Sequence, residues 1–279
     1  MIEVKNLSAR YSEKIIFENI NFCLCDESFT ALCGKNGSGK STLLSLLDGI
    51  VPAGLKVSGD ILVDGKSVFS MKRKETVKKI SCLVQKENPV WNFSVREFIE
   101  TGLYSFSELS GLQIKNLTDS VLCELGIADF AEKKIFNISG GEFQKCRLAR
   151  CLVQHNDILL FDEPVENLDL PFQIQLLKIL KKIAKPFSEK SDGKQNDNNK
   201  ENQPQNEIQN QNGKTVLFSI HDINLASLYA DEFLIFSGQT VIQGTAKDVF
   251  SEEILGSAFC SNAKIFLHPE FLKPQVLFF

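Results

Sequence analysis

Nine residues, Gly34-Lys35-Asn36-Gly37-Ser38-Gly39-Lys40-Ser41-Thr42, constrain this chain more than any other stretch. They fit the pattern GxxxxGK[ST]. Glycines at these positions let backbone N–H groups curl around phosphate oxygens with no Cβ in the way. An apolar strand, Phe29–Cys33, precedes the loop, and the apolar pairs Leu43-Leu44 and Leu46-Leu47 follow with helical character. The loop therefore leads into the positive N-terminal end of a helix, which favours anions. Lys40 can reach the β- and γ-phosphates of a nucleotide, and the Ser41 hydroxyl can ligate Mg²⁺. A glycine-rich turn with an accidental lysine is the plain alternative, and the strand–loop–helix order argues against it.

Two further motifs belong to the same chemistry. Ile158–Phe161 is a wholly apolar strand ended by Asp162 and Glu163. Carboxylates there sit at the carboxyl edge of a sheet, where α/β proteins bind ligands. Asp162 would hold Mg²⁺ and Glu163 would polarise an attacking water. Ile138-Ser139-Gly140-Gly141-Glu142 opens a helix. Ser139 and Glu142 have the spacing of a capping box. A cap needs no glycine pair, and glycine costs a helix about 1 kcal/mol relative to alanine. Bare amides at that helix start would make a second phosphate site.

The rest of the chain organises around these motifs. The first 35 residues alternate like an antiparallel sheet, with Ile2-Glu3-Val4, Ile15–Leu24 and Phe29–Cys33 as its strands. Val57–Val63 followed by Asp64-Gly65 predicts a hairpin. Residues 88–137 change to helices and loops. Phe172, Leu176, Leu177, Leu180, Ile183 and Ala184 form one helical stripe, which Pro186 would stop. Ser188–Asn212 is dominated by Asn, Gln, Lys, Glu and Asp, with Ile208 its one large apolar side chain, too polar to offset its ordering entropy. It is expected to be a disordered insertion in a surface loop. No internal repeat is present, so the chain carries one nucleotide-type core.

Charge and cysteine usage narrow the class. Basic and acidic side chains number 31 and 35, without the basic surplus expected of a nucleic-acid binder. No apolar run approaches the 18 or so residues of a membrane span, and the N-terminus lacks a signal-peptide pattern. The eight cysteines show no CxxC pair and no neighbouring histidine, which reads as reduced thiols serving as small hydrophobes.

GKNGSGKST, Gln85 after a buried strand, ISGGE, DILLFDEP, Asn167-Leu168-Asp169 and His221-Asp222 occur in the order seen in ATP-binding cassette (ABC) ATPases, which this chain resembles over nearly its whole length. Ile138 and Glu142 stand where the family often carries Leu and Gln. Val165-Glu166-Asn167 departs from the commoner Thr-Ser-Ala before Leu-Asp. The stretches SVREFIETGLYSF and HDINLASLYADEFLIFSGQTVIQGTAKDVFSEEIL resemble importer ATPases for iron–siderophore complexes, haem and vitamin B12.

The resemblance implies an α/β fold: a P-loop (RecA-like) core, an N-terminal antiparallel β subdomain and an inserted α-helical subdomain at 88–137. It implies a single domain over 1–279, with a C-terminal extension at 251–279. Tyr11 would stack on adenine; Gly34, Asn36, Gly37, Ser38, Gly39, Lys40, Ser41 and Thr42 would bind the nucleotide. Gln85 would sense Mg²⁺ and the attacking water, His221 would contact the γ-phosphate, and Mg²⁺ would be held by Ser41, Gln85 and Asp162. Ser139, Gly140, Gly141 and Asp169 would act in trans, facing the nucleotide of a second subunit. One P-loop and one signature per chain imply a homodimer or a pairing with a similar chain. A separate membrane permease, indirectly a substrate-binding protein, and a peripheral place on the cytoplasmic face of the cell membrane follow. Trp91 and Phe93 lie near where a permease helix docks in the family, or pack within the helical subdomain. ATPases of other importer classes and non-transport regulators of the same family are the alternatives. The intact Lys40, Asp162, Glu163 and His221 speak against a cassette that no longer hydrolyses.

Overall fold

The computed structural model describes residues 1–85, 87–185 and 213–279. The polar stretch 188–212 and Pro186 lie outside them. Strands β1 (Ile2–Tyr11) and β2 (Lys14–Leu24) form a hairpin, and β3 (Phe29–Cys33) runs into the glycine loop and α1 (Lys40–Leu47). Next come β4 (Leu55–Val63), β5 (Lys66–Ser67), the short α2 (Arg73–Thr76) and β6 (Ile80–Leu83). Three helices, α3 (Val95–Glu100), α4 (Gly111–Glu124) and α5 (Gly140–Leu152), precede β7 (Ile158–Phe161). Then follow α6 (Leu170–Ala184), β8 (Thr215–Ser219), α7 (Ile223–Tyr229), β9 (Glu232–Ser237) and β10 (Thr240–Gly244). The chain closes with α8 (Ala246–Val249), α9 (Glu252–Phe259), β11 (Ala263–Leu267) and β12 (Pro274–Phe278).

A four-stranded antiparallel sheet has the order β2-β1-β4-β5. Its β4–β5 hairpin turns through Asp64 and Gly65, both at positive φ, as the Asp-Gly pair predicts. A six-stranded sheet has the order β10-β9-β3-β8-β7-β6, parallel except for β10.

The alternation of the first 35 residues predicts Phe29–Cys33 as a third antiparallel strand; the structure instead places it inside the parallel sheet, between β9 and β8. All five residues are buried because the two faces of that sheet pack against different cores. Phe29, Ala31 and Cys33 join Leu159, Phe161, Val216 and Phe218 on the face covered by α5 and α6. Leu32 joins Leu160, Leu217 and Leu234 on the other face, with α1 and the antiparallel sheet. A strand buried on both faces reads as a continuous apolar run, which hides its alternation. Cysteine usage is also more mixed than expected: Cys33, Cys146 and Cys151 are buried, but Cys25, Cys123 and Cys260 are exposed.

The ends flanking residues 186–212 lie side by side, since Lys214 N donates to Ile183 O at 3.2 Å. A link of a few residues can therefore join α6 to β8. Shortening the loop changes its closure entropy by only about 1 kcal/mol. Replacing residues 188–212 by a short Gly-Ser link should keep the melting temperature within about 5 °C. A larger drop in a thermal unfolding scan would show that the stretch packs on the fold.

Candidate active site

Four adjacent parallel strands, β3, β8, β7 and β6, end on one edge of the sheet, and each delivers a motif there. The loop 34–39 leaves β3, Asp162-Glu163 leave β7, Ile220-His221 leave β8, and Val84-Gln85 leave β6. A cavity of about 410 Å³ opens between them. Asn36, Gly37, Gly39, Lys40, Ser41, Thr42, Gln85, Glu163 and His221 line it, so most of the expected site converges. Ile16 and Glu166 also line it, and the sequence alone did not assign them a place there.

The loop has the features of an anion cradle. Gly39 holds φ at 107°, and a Cβ there would meet Ile16 Cγ2 at 2.7 Å. Gly34 is buried beneath the loop, where a Cβ would meet that of Phe236 at 2.8 Å. The first turn of α1 has no side-chain cap and no acidic residue, which leaves its amides to an incoming anion. Lys40 Nζ donates to the carbonyls of Gly34 at 2.8 Å and Lys35 at 3.1 Å, holding the ammonium inside the curve. Burial pulls this ammonium below the usual lysine range, against the attraction of Glu163, Cys33 and Asp162. Among the described residues, the buried Ser38 hydroxyl has no hydrogen-bond partner. A buried lysine, an unsatisfied hydroxyl and uncapped amides fit a polyphosphate.

The carboxylates sit opposite the loop. Glu163 is 6% exposed and has φ 52°, a left-handed backbone that costs a non-glycine residue energy and recurs at functional sites. Gln85 Nε2 donates to Glu163 Oε2 at 2.7 Å, and His221 Nε2 lies 2.6 Å from Oε1. Burial pushes the Glu163 carboxyl up, but Gln85, Glu166 and His221 outweigh it and hold the group below the usual carboxylate range. Asp162 lies behind, 5% exposed, and accepts from Ser219 Oγ at 2.7 Å. Among the described residues, no three His, Cys, Asp or Glu side chains group to cage a metal. The hydroxyl, amide and single carboxylate of Ser41, Gln85 and Asp162 instead suit a hard cation that keeps waters and phosphate ligands.

The remaining expected residues lie outside this cavity. Tyr11, half-buried, ends β1 opposite Leu55 and Lys14. Ser139 and Gly140 are exposed at the start of α5. Ser139 and Glu142 do form the capping box: Glu142 N donates to Ser139 Oγ at 3.2 Å, and Ser139 N to Glu142 Oε2 at 2.7 Å. Beyond its chain neighbours and its own helix backbone, no atom of the described residues lies within 4 Å of where a Gly140 Cβ would sit. Asp169 is the exposed N-cap residue of α6, and its side chain makes no capping bond. Trp91 is 69% exposed and Phe93 37%, so Trp91 is not core.

A connection unread in the sequence ties α5 to Gln85. Arg147, 4% exposed, donates to Val84 O, to Gln85 O at 3.4 Å and to Gln144 Oε1 at 2.6 Å. Arg150 clasps Glu87 through both carboxylate oxygens, at 2.7 and 2.6 Å. The helix that begins at Ser139 thus grips the loop after β6.

A glycine-loop phosphate cradle facing two strand-end carboxylates defines a P-loop nucleotide-binding protein. Residues 17–166 match the family model for ABC transporter, and the chain belongs to that family, as an ATP-binding and ATP-hydrolysing cassette. It is 30% identical to the iron(3+)-hydroxamate import ATP-binding protein FhuC of Bacillus subtilis (strain 168), over 99% of this chain and 94% of that one. It is also 30% identical to the hemin import ATP-binding protein HmuV of Idiomarina loihiensis, over 99% and 96%. Among solved structures, a chain assigned to a metal-chelate type ABC transporter in an inward-facing conformation matches with a TM-score of 0.74. That chain is 23% identical, with 100% of this chain and 97% of the other covered. The antiparallel β subdomain and helical insertion expected from the sequence are features of these cassettes.

Proposed function

We propose that the chain is the ATP-hydrolysing subunit of an importer for a metal chelate: an iron–siderophore complex, haem or a corrinoid. One observation carries the hydrolytic reading. Glu163 is buried at the cavity wall opposite the phosphate loop, with Gln85 and His221 each on one of its oxygens. The cargo class is supported by the near full-length similarity to hydroxamate-iron and hemin import subunits.

Bound Mg-ATP supplies the electrophilic γ-phosphorus and its charge-neutralising metal. Ser41, Gln85 and Asp162 would hold the metal. The amides of the loop 34–42, including those of Asn36, Gly37 and Ser38, and the Lys40 ammonium bind the phosphate oxygens. Tyr11 offers its ring to adenine from the end of β1. Glu163 accepts the proton of the attacking water, and His221 donates to the γ-phosphate. The contacts from Gln85 and His221 must loosen for this, since those two side chains turn toward metal and phosphate. Loosening them removes two of the influences that hold the carboxyl low, while burial, which pushes it up, and Glu166, which holds it down, remain.

Ser139, Gly140, Gly141 and Asp169 act on the nucleotide of a second subunit, in a homodimer. The grip of Arg147 and Arg150 on the loop after β6 couples that contact to Gln85. The exposed Val90, Trp91 and Phe93 dock a membrane permease, itself served by a substrate-binding protein. No described helix is long and apolar enough to cross a membrane, which suits a peripheral subunit on the cytoplasmic face. Residues 88–137 form the helical subdomain and 251–279 a C-terminal extension.

Reconstitution with the co-purifying permease in vesicles tests the cargo. Loading with ferric hydroxamate, haem or cobalamin and its binding protein should stimulate ATP hydrolysis for one of them. Stimulation by none, with intact basal hydrolysis, would assign the subunit to another importer class.

A further inference from the structure

We infer that Ser219 is a positioning residue for ATP hydrolysis, one hydroxyl that joins the metal-side carboxylate Asp162 to the water-side residue Glu163. The inference rests on the roles proposed above for those two residues. Ser219 ends β8 and is fully buried. Its Oγ donates to Asp162 Oδ1 at 2.7 Å and accepts from Glu163 N at 2.8 Å. The hydroxyl's single proton is thereby committed to Asp162. The strand is otherwise buried apolar residues after Thr215, so a serine here is costly unless its hydroxyl is engaged.

The two bonds do different work. The bond to Asp162 restricts rotation of the carboxylate that faces the metal. The bond from Glu163 N satisfies a buried amide whose residue holds φ at 52°. Without that acceptor the amide loses its partner, and the left-handed backbone that aims Glu163 into the cavity loses its anchor. His221 follows two residues later on the same strand end, so Ser219 also ties β8 to β7 where their catalytic groups meet.

Ser219→Thr and Ser219→Val, made in the full chain, share a shape and differ in the hydroxyl. Four readouts separate positioning from packing: Mn²⁺ affinity with ATP present by electron paramagnetic resonance, ATP affinity in EDTA, kcat, and melting temperature. The Thr variant should stay within about threefold of wild type in Mn²⁺ affinity and kcat. The Val variant should lose about tenfold in Mn²⁺ affinity and about ten- to a hundred-fold in kcat, with ATP affinity in EDTA unchanged within about twofold. Equal behaviour of folded Thr and Val variants would overturn the inference. So would a parallel loss of ATP affinity in EDTA, which marks packing alone. If neither variant folds, Ser219→Ala against wild type makes the same comparison, with the same two outcomes. A wild-type chain that hydrolyses ATP while these variants match it refutes the role of Ser219 only. A wild-type chain that neither binds Mn-ATP nor hydrolyses it refutes the proposed function, and this inference with it.

Discussion

Glu163→Gln is expected to lower steady-state ATP turnover by about a hundred- to ten-thousand-fold, with ATP affinity within a few-fold of wild type. The amide matches the carboxylate in shape but cannot take the proton of the attacking water. The surroundings leave little room for a substitute. Glu163 is buried, its backbone is held by Ser219, and its two oxygens already meet Gln85 and His221. Glu166 lines the same cavity and also acts on the Glu163 carboxyl. Phosphate-release kinetics read the effect directly. Near-normal turnover would remove Glu163 from the general-base role.

Ser139→Arg is expected to abolish hydrolysis, by about a hundred-fold or more, while the isolated subunit binds ATP within about twofold of wild type. Ser139 and Gly140 are exposed and do not line the cavity of their own chain. In the proposed dimer an arginine there would obstruct a partner's nucleotide and not its own. The substitution also removes the helix cap, which costs about 1 kcal/mol. Ser139→Asp controls for that, because aspartate is an equally good cap but sets a negative charge toward the γ-phosphate. It should keep the melting temperature and still lose hydrolysis. Loss of ATP binding in step with hydrolysis, in either variant, would mean that Ser139 acts within its own subunit.

The parts legible in the sequence are those whose chemistry is local. The glycine loop, the acid pair after β7 and the Asp64-Gly65 hairpin each declare themselves within a few residues. Tyr11 is less clear-cut, because its partner in the proposed site is the base of a nucleotide and not another residue of the chain. The partnership of β3 was not legible, because burial on both faces erased the alternation that distinguishes sheet types. Ser219 and Arg147 were also invisible. Ser219 meets residues 56 and 57 positions away, and Arg147 grips carbonyls 62 and 63 positions away. The one signal available was a hydroxyl closing an otherwise apolar strand, and a buried arginine gives none until its carbonyl partners are known.

In the proposed assembly, ATP is held between two copies of this chain and its hydrolysis to ADP and phosphate lets them part. The most direct test is the mass of Glu163→Gln by sedimentation, with and without Mg-ATP. A variant that binds ATP but cannot cleave it should shift from monomer to a stable dimer on adding Mg-ATP, and Ser139→Arg in the same chain should prevent the shift. A Glu163→Gln chain that binds ATP and stays monomeric at saturation would contradict a nucleotide shared between two copies.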